Sequence, residues 1–122
     1  MKIDIITILF VILIALQIKH WYIDFVNQTT AEVISKGHYG ELTGIMHSLK
    51  HGIATGLIIL IIEPEIAISI GLLDFILHYH IDWAKRNFGN QDIQDKRFWR
   101  DMGFDQMMHQ LCYIGYIAMV IV

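Results

Sequence analysis

The chain has 122 residues, the size of one domain, and apolar side chains make up 55% of it, more than a water-soluble domain usually carries. Its net charge of −3 and its scattered basic residues argue against a nucleic-acid surface. The single cysteine, Cys112, can form neither an intrachain disulfide nor a thiolate cluster. We therefore expect one membrane domain over residues 1–122, with no nucleic-acid partner, in which histidines and carboxylates hold any metal.

The first predicted element is a helix from Ile5 to Phe25. Its apolar part follows a short charged start, as in a signal peptide, but no small-residue cleavage pattern comes after it. His20 and Asp24 lie directly beyond the apolar run, four residues apart on one face of the same helix. We therefore interpret this helix as a retained membrane span.

Three further helices are predicted after a polar loop at Asn27–Leu42. Their apolar cores are shorter than the roughly 20 residues that span a bilayer, but a turn or two with a polar pair extends each core. These cores are Gly52–Ile62, Ile66–Leu77 and Leu111–Val122. Pro64 predicts a tight turn between the second and third helices, and the polar run Asn87–Arg100 predicts the connection before the fourth.

A stripe of small residues runs along the second predicted helix. Ser48, Gly52 and Gly56 recur every four residues and therefore share one face. Small residues let two helix backbones approach closely, so the stripe predicts a tight contact with a neighbouring helix. Glycines that face lipid are the alternative.

Each of the four predicted helices carries one pair of metal-ligating residue types with a spacing of four. The pairs are His20 with Asp24, His47 with His51, His78 with Asp82, and Asp105 with His109. One such pair is weak evidence, but polar pairs in four otherwise apolar helices favour a shared interior site. Helices that alternate in direction bring all four pairs to one side of the membrane.

The basic residues indicate which side that is. Eight of the nine lie at the same end as the pairs, and only Lys2 lies opposite. The positive-inside rule then places the pairs near the cytoplasmic face and both termini in the periplasm. The predicted fold is all-α: a four-transmembrane-helix antiparallel bundle with an intramembrane polar metal site near the cytoplasmic face.

Helix direction also sorts the eight residues into two layers. The deeper layer is His20, His51, His78 and His109, and the shallower layer is Asp24, His47, Asp82 and Asp105. Three carboxylates in one layer would repel each other without a cation, and zinc accepts both His nitrogen and Asp oxygen. We therefore expect one or two zinc ions, with iron or manganese as alternatives.

Three more charged residues extend the predicted site. Asp74 lies one turn deeper than His78 and could receive its free ring N–H. Lys85 and Arg86 end the third helix, where they could hold a phosphate of a lipid or substrate. Cations that snorkel to the interface are the alternative for these two residues.

The ordered motifs are His20-x-x-x-Asp24-Phe25, His47-x-x-x-His51, His78-x-x-x-Asp82-x-x-Lys85 and Asp105-Gln106-x-x-His109. Together they resemble the motif series of a family of small bacterial and phage inner-membrane proteins of unknown function. The resemblance covers most of the chain from His20 onward. It implies a multi-pass protein of the bacterial or host inner membrane, and it brings no established activity.

The His-x-x-x-Asp pairs are also similar to those of all-helical zinc phospholipase C and P1-type nucleases, although this chain lacks their N-terminal Trp ligand. The leading hypothesis is a zinc-dependent hydrolase of a phosphoester at the cytoplasmic headgroup level, with Asp24, Asp82 or Asp105 as general base. The alternatives are a non-catalytic, metal-stabilised protein that binds a partner or alters the host membrane, a di-iron membrane oxidoreductase, and an ion pathway. The lipid bilayer and a lipid or phosphoester substrate are the expected partners, and a homo-oligomer is left open.

Overall fold

The computed structural model describes residues 4–122, which form five α-helices and no strand within that range. The helices are α1 (Ile5–Trp21), α2 (Thr30–Ser35), α3 (Leu42–Leu60), α4 (Pro64–Phe88) and α5 (Lys96–Ile121). A π-helical segment, Tyr22–Val26, continues α1. The predicted all-α class is confirmed. Lys2, which entered the predicted orientation, lies outside the described residues.

The polar loop predicted at residues 27–42 contains the short helix α2. Thr29 and Glu32 form a capping box: the Thr29 hydroxyl accepts from the backbone N–H of Glu32, and the Glu32 carboxylate accepts from that of Thr29. Such a box satisfies two N–H groups that a helix start leaves unpaired. The loop prediction was therefore wrong over the six residues of α2.

The polar connection predicted at residues 87–100 is shorter than expected. Helix α4 continues to Phe88 and α5 begins at Lys96, so residues 87–88 and 96–100 were wrongly predicted as loop. The carboxylate of Asp95 caps α5 by accepting from the backbone N–H of Arg97. Polarity alone does not separate a loop from an exposed helical turn. By contrast, Pro64 begins α4 directly after the turn that it predicted.

The four long helices pack around one interior, where α1 and α4 each contact both α3 and α5. Apolar side chains from all four helices fill one end, which we call the apolar end. They are Ile12, Leu16, Ile59, Ala67, Ile70, Tyr113 and Tyr116. These residues precede the polar pair in α1 and α4 but follow it in α3 and α5, so neighbouring helices run in opposite directions. The polar pairs of the same helices consequently meet at the opposite end.

The small-residue stripe of α3 packs against α4, as predicted. A Cβ added to Gly52 would lie 2.6 Å from the carbonyl oxygen of Gly71 and 2.7 Å from Cβ of Phe75. A Cβ added to Gly71 would lie 2.8 Å from the carbonyl oxygen of Gly52. Only glycines permit this backbone contact, which holds the histidines of α3 beside those of α4.

The distribution of polarity is the reverse of that in a water-soluble bundle. Within residues 4–122, more buried side chains are polar than apolar, whereas large apolar side chains such as Ile14, Ile61 and Ile68 are exposed. By length and composition, two segments could cross a membrane: Ile5–Val26 and Pro64–Phe88. Among the described helices, α3 and α5 do not meet that criterion, since polar side chains occupy the ends of both.

Candidate metal centre

The eight residues predicted as ligands come together at the end of the bundle opposite the apolar end. We call them the His/Asp cluster. They form three groups in which one ligand atom from each residue lies within 4.8 Å of the others: Asp24, His47, His51 and His78; His20, His78 and His109; and Asp82, Asp105 and His109. His78 and His109 each belong to two groups, so the three groups form one continuous centre.

The four histidines of the predicted deeper layer are in mutual contact. The ring of His78 stacks between those of His51 and His109, at centroid distances of 3.5 and 4.1 Å. The ring of His20 lies 5.0 Å from that of His109. Four imidazoles from four helices therefore share one small volume, and each is nearly inaccessible to solvent.

Asp24 lies among the histidines of α3 and α4. Its Oδ1 accepts from Nε2 of His47 at 2.9 Å and from Nε2 of His51 at 3.1 Å, and it lies 3.7 Å from Nε2 of His78. Asp24 belongs to the π-helical segment. Such segments occur frequently at functional sites, where the wider turn redirects a side chain.

The carboxylates of α4 and α5 surround His109. Nε2 of His109 donates to Oδ1 of Asp82 at 3.2 Å and lies 3.5 Å from Oδ1 of Asp105. Oδ2 of Asp82 lies 3.2 Å from Nε2 of His78. This carboxylate therefore faces two of the three ligand groups.

Several polar atoms of the cluster lack a hydrogen-bond partner. Within the described residues, the buried side-chain atoms without one are Gln28 Oε1, His47 Nδ1, His78 Nδ1, His78 Nε2, Asp82 Oδ2 and Asp105 Oδ1. All but the first belong to the cluster, and of these Asp82 Oδ2 has the ammonium of Lys36 at 2.9 Å as an ion-pair partner. An unpaired buried polar group is costly, and an ion bound among such groups is one explanation for them. His78 is the clearest case, because Nδ1 has no partner and Nε2 approaches Asp82 Oδ2 at 3.2 Å without the geometry of a hydrogen bond.

Lys36, in the segment after α2, covers the cluster, and no sequence pattern predicted this contact. Its ammonium lies 2.9 Å from Asp82 Oδ2 and 3.7 Å from Asp24 Oδ1. Burial alone would lower the pKa of Lys36, but the two carboxylates outweigh burial and raise this pKa above its ordinary value. The residue is thus a built-in cation for two of the predicted ligands.

Asp74 does not make the predicted contact with His78, whose Nδ1 has no hydrogen-bond partner among the described residues. It accepts instead from Lys19 Nζ at 3.0 Å, from the Thr55 hydroxyl at 2.6 Å and from the Tyr116 hydroxyl at 3.0 Å. The reason is that the Lys19 ammonium lies inside the bundle, where it takes Asp74 as its partner.

Lys19 and Tyr113 connect this deeper network to the cluster. Nζ of Lys19 lies 3.2 Å from Nδ1 of His51 and donates to the Tyr113 hydroxyl at 3.1 Å. The same hydroxyl lies 2.8 Å from Nδ1 of His20, whose Nε2 donates to Oε1 of Gln106 at 2.8 Å. These contacts hold the rings of His51 and His20 through their Nδ1 atoms. Only Gln106, which is part of the fourth motif, carried a sequence signal.

Glu32 of α2 contacts two residues of α3 at the edge of the cluster. Glu32 pairs with Lys50 of α3, and its Oε1 lies 3.7 Å from Nδ1 of His47. Burial would raise the pKa of Glu32, but Lys50 and the capping N–H of Thr29 lower this pKa below its ordinary value. Helix α2 is thereby attached beside His47.

Lys85 and Arg86 lie in different surroundings. Nζ of Lys85 is 4.0 Å from Oδ2 of Asp105, at the border of the cluster. The guanidinium of Arg86 donates to Gln91 at 2.6 Å, and its stem lies against Gly37. Of the two predicted phosphate contacts, only Lys85 borders a cluster residue.

A model of the family described as "Protein of unknown function (DUF3307)" matches residues 12–122. The chain belongs to this family. The match includes every residue of the His/Asp cluster, so the expected resemblance to a family of unknown function is confirmed. No curated protein and no solved structure matches the chain significantly.

Proposed function

We propose that this protein is a membrane-embedded, zinc-dependent hydrolase that acts on a phosphoester at the cytoplasmic headgroup level. The observation that carries the proposal is His78, whose buried ring has no hydrogen-bond partner at either nitrogen within residues 4–122. Histidines and carboxylates from four helices surround it. Such a set matches the ligands that zinc accepts.

One or two ions fit the cluster. Asp24, His47, His51 and His78 would hold a first ion with four protein ligands, the number typical of a closed structural site. Asp82, Asp105 and His109 would hold a second ion with three ligands, which leaves a coordination position open, as in catalytic zinc sites. Iron or manganese could bind to the same nitrogen and oxygen ligands in place of zinc.

The group of three ligands is the better candidate for chemistry. A metal there would lower the pKa of a bound water and polarise a phosphoryl oxygen. Oδ1 of Asp105 has no hydrogen bond in the described structure, so an Asp105 that binds the ion through Oδ2 alone would keep Oδ1 to accept a proton from the attacking water as general base. Lys85, 4.0 Å from Oδ2 of the same residue, would bind the anionic substrate.

The proposal includes four membrane spans in the inner membrane of a bacterium or phage host, with both termini in the periplasm. Beyond the two candidate spans, α3 and α5 expose Ile53, Leu57, Leu111 and Ile114, which suits contact with lipid. Basic residues lie around the cluster end of the bundle, as expected for the cytoplasmic side. Labelling of single introduced cysteines from each side would test this orientation.

A non-catalytic protein is the second candidate, and Lys36 favours it. Its ammonium already pairs with Asp82 at 2.9 Å, lies 3.7 Å from Asp24 and covers the cluster, whereas a hydrolase needs access to its metal. In that case the cluster would stabilise a bundle that binds a partner or alters the host membrane. The two candidates differ in whether metal-loaded protein turns over a substrate.

The test is elemental analysis and phosphodiesterase assay of the detergent-purified protein. The wild type should hold one or two equivalents of zinc and hydrolyse a chromogenic phosphodiester. His78→Ala should lose both properties, whereas the matched control His80→Ala should keep them, because His80 is exposed on the same helix and contacts Tyr39. Bound zinc without turnover of lipid or soluble phosphoesters would favour the non-catalytic candidate, and absence of metal would refute both. An iron content with visible absorption would favour a di-iron oxidoreductase.

A further inference from the structure

A groove of about 320 Å³ lies between α4 and α5, at the cluster end of the bundle. Its volume is at the lower end of the range for small-molecule sites. Apolar side chains form most of its wall: Ile81, Ala84, Phe88, Phe104 and Met108. Phe88 and Phe104 are 79% and 61% exposed, so the groove is open at the surface of the bundle and has an apolar rim.

The groove ends at the His/Asp cluster. Asp105 belongs both to the groove wall and to the group that it forms with Asp82 and His109. Its Oδ2 accepts from Gln106 at 3.0 Å, while Oδ1 has no hydrogen bond among the described residues. The carboxylate is only 4% exposed. A molecule in the groove would therefore reach the candidate catalytic group directly.

Lys85 is the polar feature of the groove that suits an anion. Within the described residues, its ammonium makes one hydrogen bond, to the thioether sulfur of Met102 at 3.5 Å. An ammonium has three N–H donors, and sulfur is a weak acceptor. The carboxylate of Asp101, also in the groove wall, is already paired with Arg100. Lys85 thus retains donors for the oxygen atoms of a ligand.

We propose that this groove binds a single-chain anionic phospholipid or alkyl phosphate. The hydrocarbon chain lies against the apolar wall, and the phosphate lies between Lys85 and the ligand group of Asp105. The volume suits one chain, and the exposed apolar rim suits a molecule that enters from the bilayer. This inference rests on the proposed function for the fate of the phosphate, but binding itself requires no turnover.

The test measures retention of dodecyl phosphate by the purified full chain in a maltoside detergent, using native mass spectrometry. Inorganic phosphate tests the headgroup alone, and dodecyltrimethylammonium tests the chain alone. Wild-type protein should retain dodecyl phosphate and should not exchange it for either probe at equal concentration. Lys85→Met should weaken retention roughly tenfold or more, because a charge-assisted hydrogen bond is lost, and Lys85→Arg should restore most of it.

Two substitutions test the apolar wall. Ala84→Trp and Met108→Trp should fill the groove and abolish retention. Ile76→Trp, on the exposed side of the same helix α4, is the matched control for added bulk, and Lys96→Met is the control for lost charge, because Lys96 is exposed outside the groove. Both controls should bind as the wild type does. Variants that fail to fold are replaced by the other member of the same pair.

The possible outcomes test the lipid-binding proposal separately from the proposed hydrolase function. Equal competition by inorganic phosphate, with no effect of Ala84→Trp and Met108→Trp, would overturn the groove in favour of a simple phosphate site. Equal retention of dodecyltrimethylammonium, with no effect of Lys85→Met, would overturn it in favour of unspecific apolar binding. A protein that holds metal and hydrolyses soluble diesters but releases dodecyl phosphate refutes the groove alone, whereas retention without metal supports the groove and refutes the hydrolase.

Discussion

The two ends of the bundle are built from the same four helices but bury side chains of different chemical type. At the apolar end, Ile12, Ile59 and Ile70 are buried against one another, which stabilises the bundle by packing. At the cluster end, the buried side chains are imidazoles and carboxylates with unpaired atoms. Burial of such groups costs free energy. The cluster end is therefore present in spite of its cost, which is the usual mark of a functional site.

The glycine contact between α3 and α4 connects the two ends. Gly52 follows His51 directly, and Gly71 lies seven residues before His78. The packing that supports the bundle therefore also positions the histidines. Because of this coupling, substitutions in the glycine contact and substitutions of the charged residues should both affect the cluster.

The largest effect is expected for Gly52→Leu. The new side chain would meet backbone of Gly71 at 2.6 Å, and backbone cannot move aside as a flexible side chain can. We expect a loss of more than about 3 kcal/mol of stability, the upper range for overpacking, together with loss of bound metal. Thermal unfolding followed by circular dichroism in detergent, with elemental analysis, measures both.

Gly115→Ala is the control for this substitution. Nothing lies within 4 Å of a Cβ added at Gly115, and alanine favours a helix over glycine by about 0.5–1 kcal/mol. The control should therefore be neutral or slightly stabilised. A Gly52→Leu protein with normal metal content would contradict the view that this contact positions the histidines.

The second effect concerns Lys36, whose ammonium pairs with Asp82 and Asp24. After chelation, Lys36→Met should cost about 3 kcal/mol, because it leaves buried carboxylates without a cation. In metal-loaded protein the same substitution should cost less than about 1 kcal/mol, because the ion supplies the charge. Unfolding of wild type and variant, each with and without chelator, gives the coupling directly.

Equal costs in the two states would mean that the ammonium and the ion do not serve the same carboxylates. Lys50→Met is the matched control, because Lys50 pairs with Glu32 at the edge of the cluster. Its effect should be smaller and independent of chelation.

The convergence of the eight pair residues could be predicted from the sequence because a spacing of four is a local property of a helix. His47 with His51 and Asp105 with His109 needed only their own helices and an alternating direction. The glycine contact was predictable for the same reason. These features depend on helical periodicity, which determines the residues that share a face whatever the packing between helices.

The remaining contacts depend on packing across the bundle and carried no local signal. Lys36 reaches Asp82 from an irregular segment 46 positions earlier in the chain, and Lys19 differed from the other basic residues at that end by no sequence signal. Asp74 was correctly recognised as buried and paired, but its partners lie on three other helices. Likewise, a polar run such as 96–100 can be loop or exposed helix. The metal role of the cluster stays a prediction.

The smallest effect is expected for Tyr116→Phe, which probes the boundary between the two ends. It removes one hydrogen bond to the Asp74 carboxylate, worth about 1.5 kcal/mol for a charged acceptor, while Lys19 and Thr55 keep the carboxylate paired. Stability should therefore fall slightly, and zinc content should not change. Tyr39→Phe, which removes an exposed hydrogen bond to His80, should cost less. If Tyr116→Phe instead released the metal, the Asp74 network would be part of the metal centre, and the bundle would not divide into two ends.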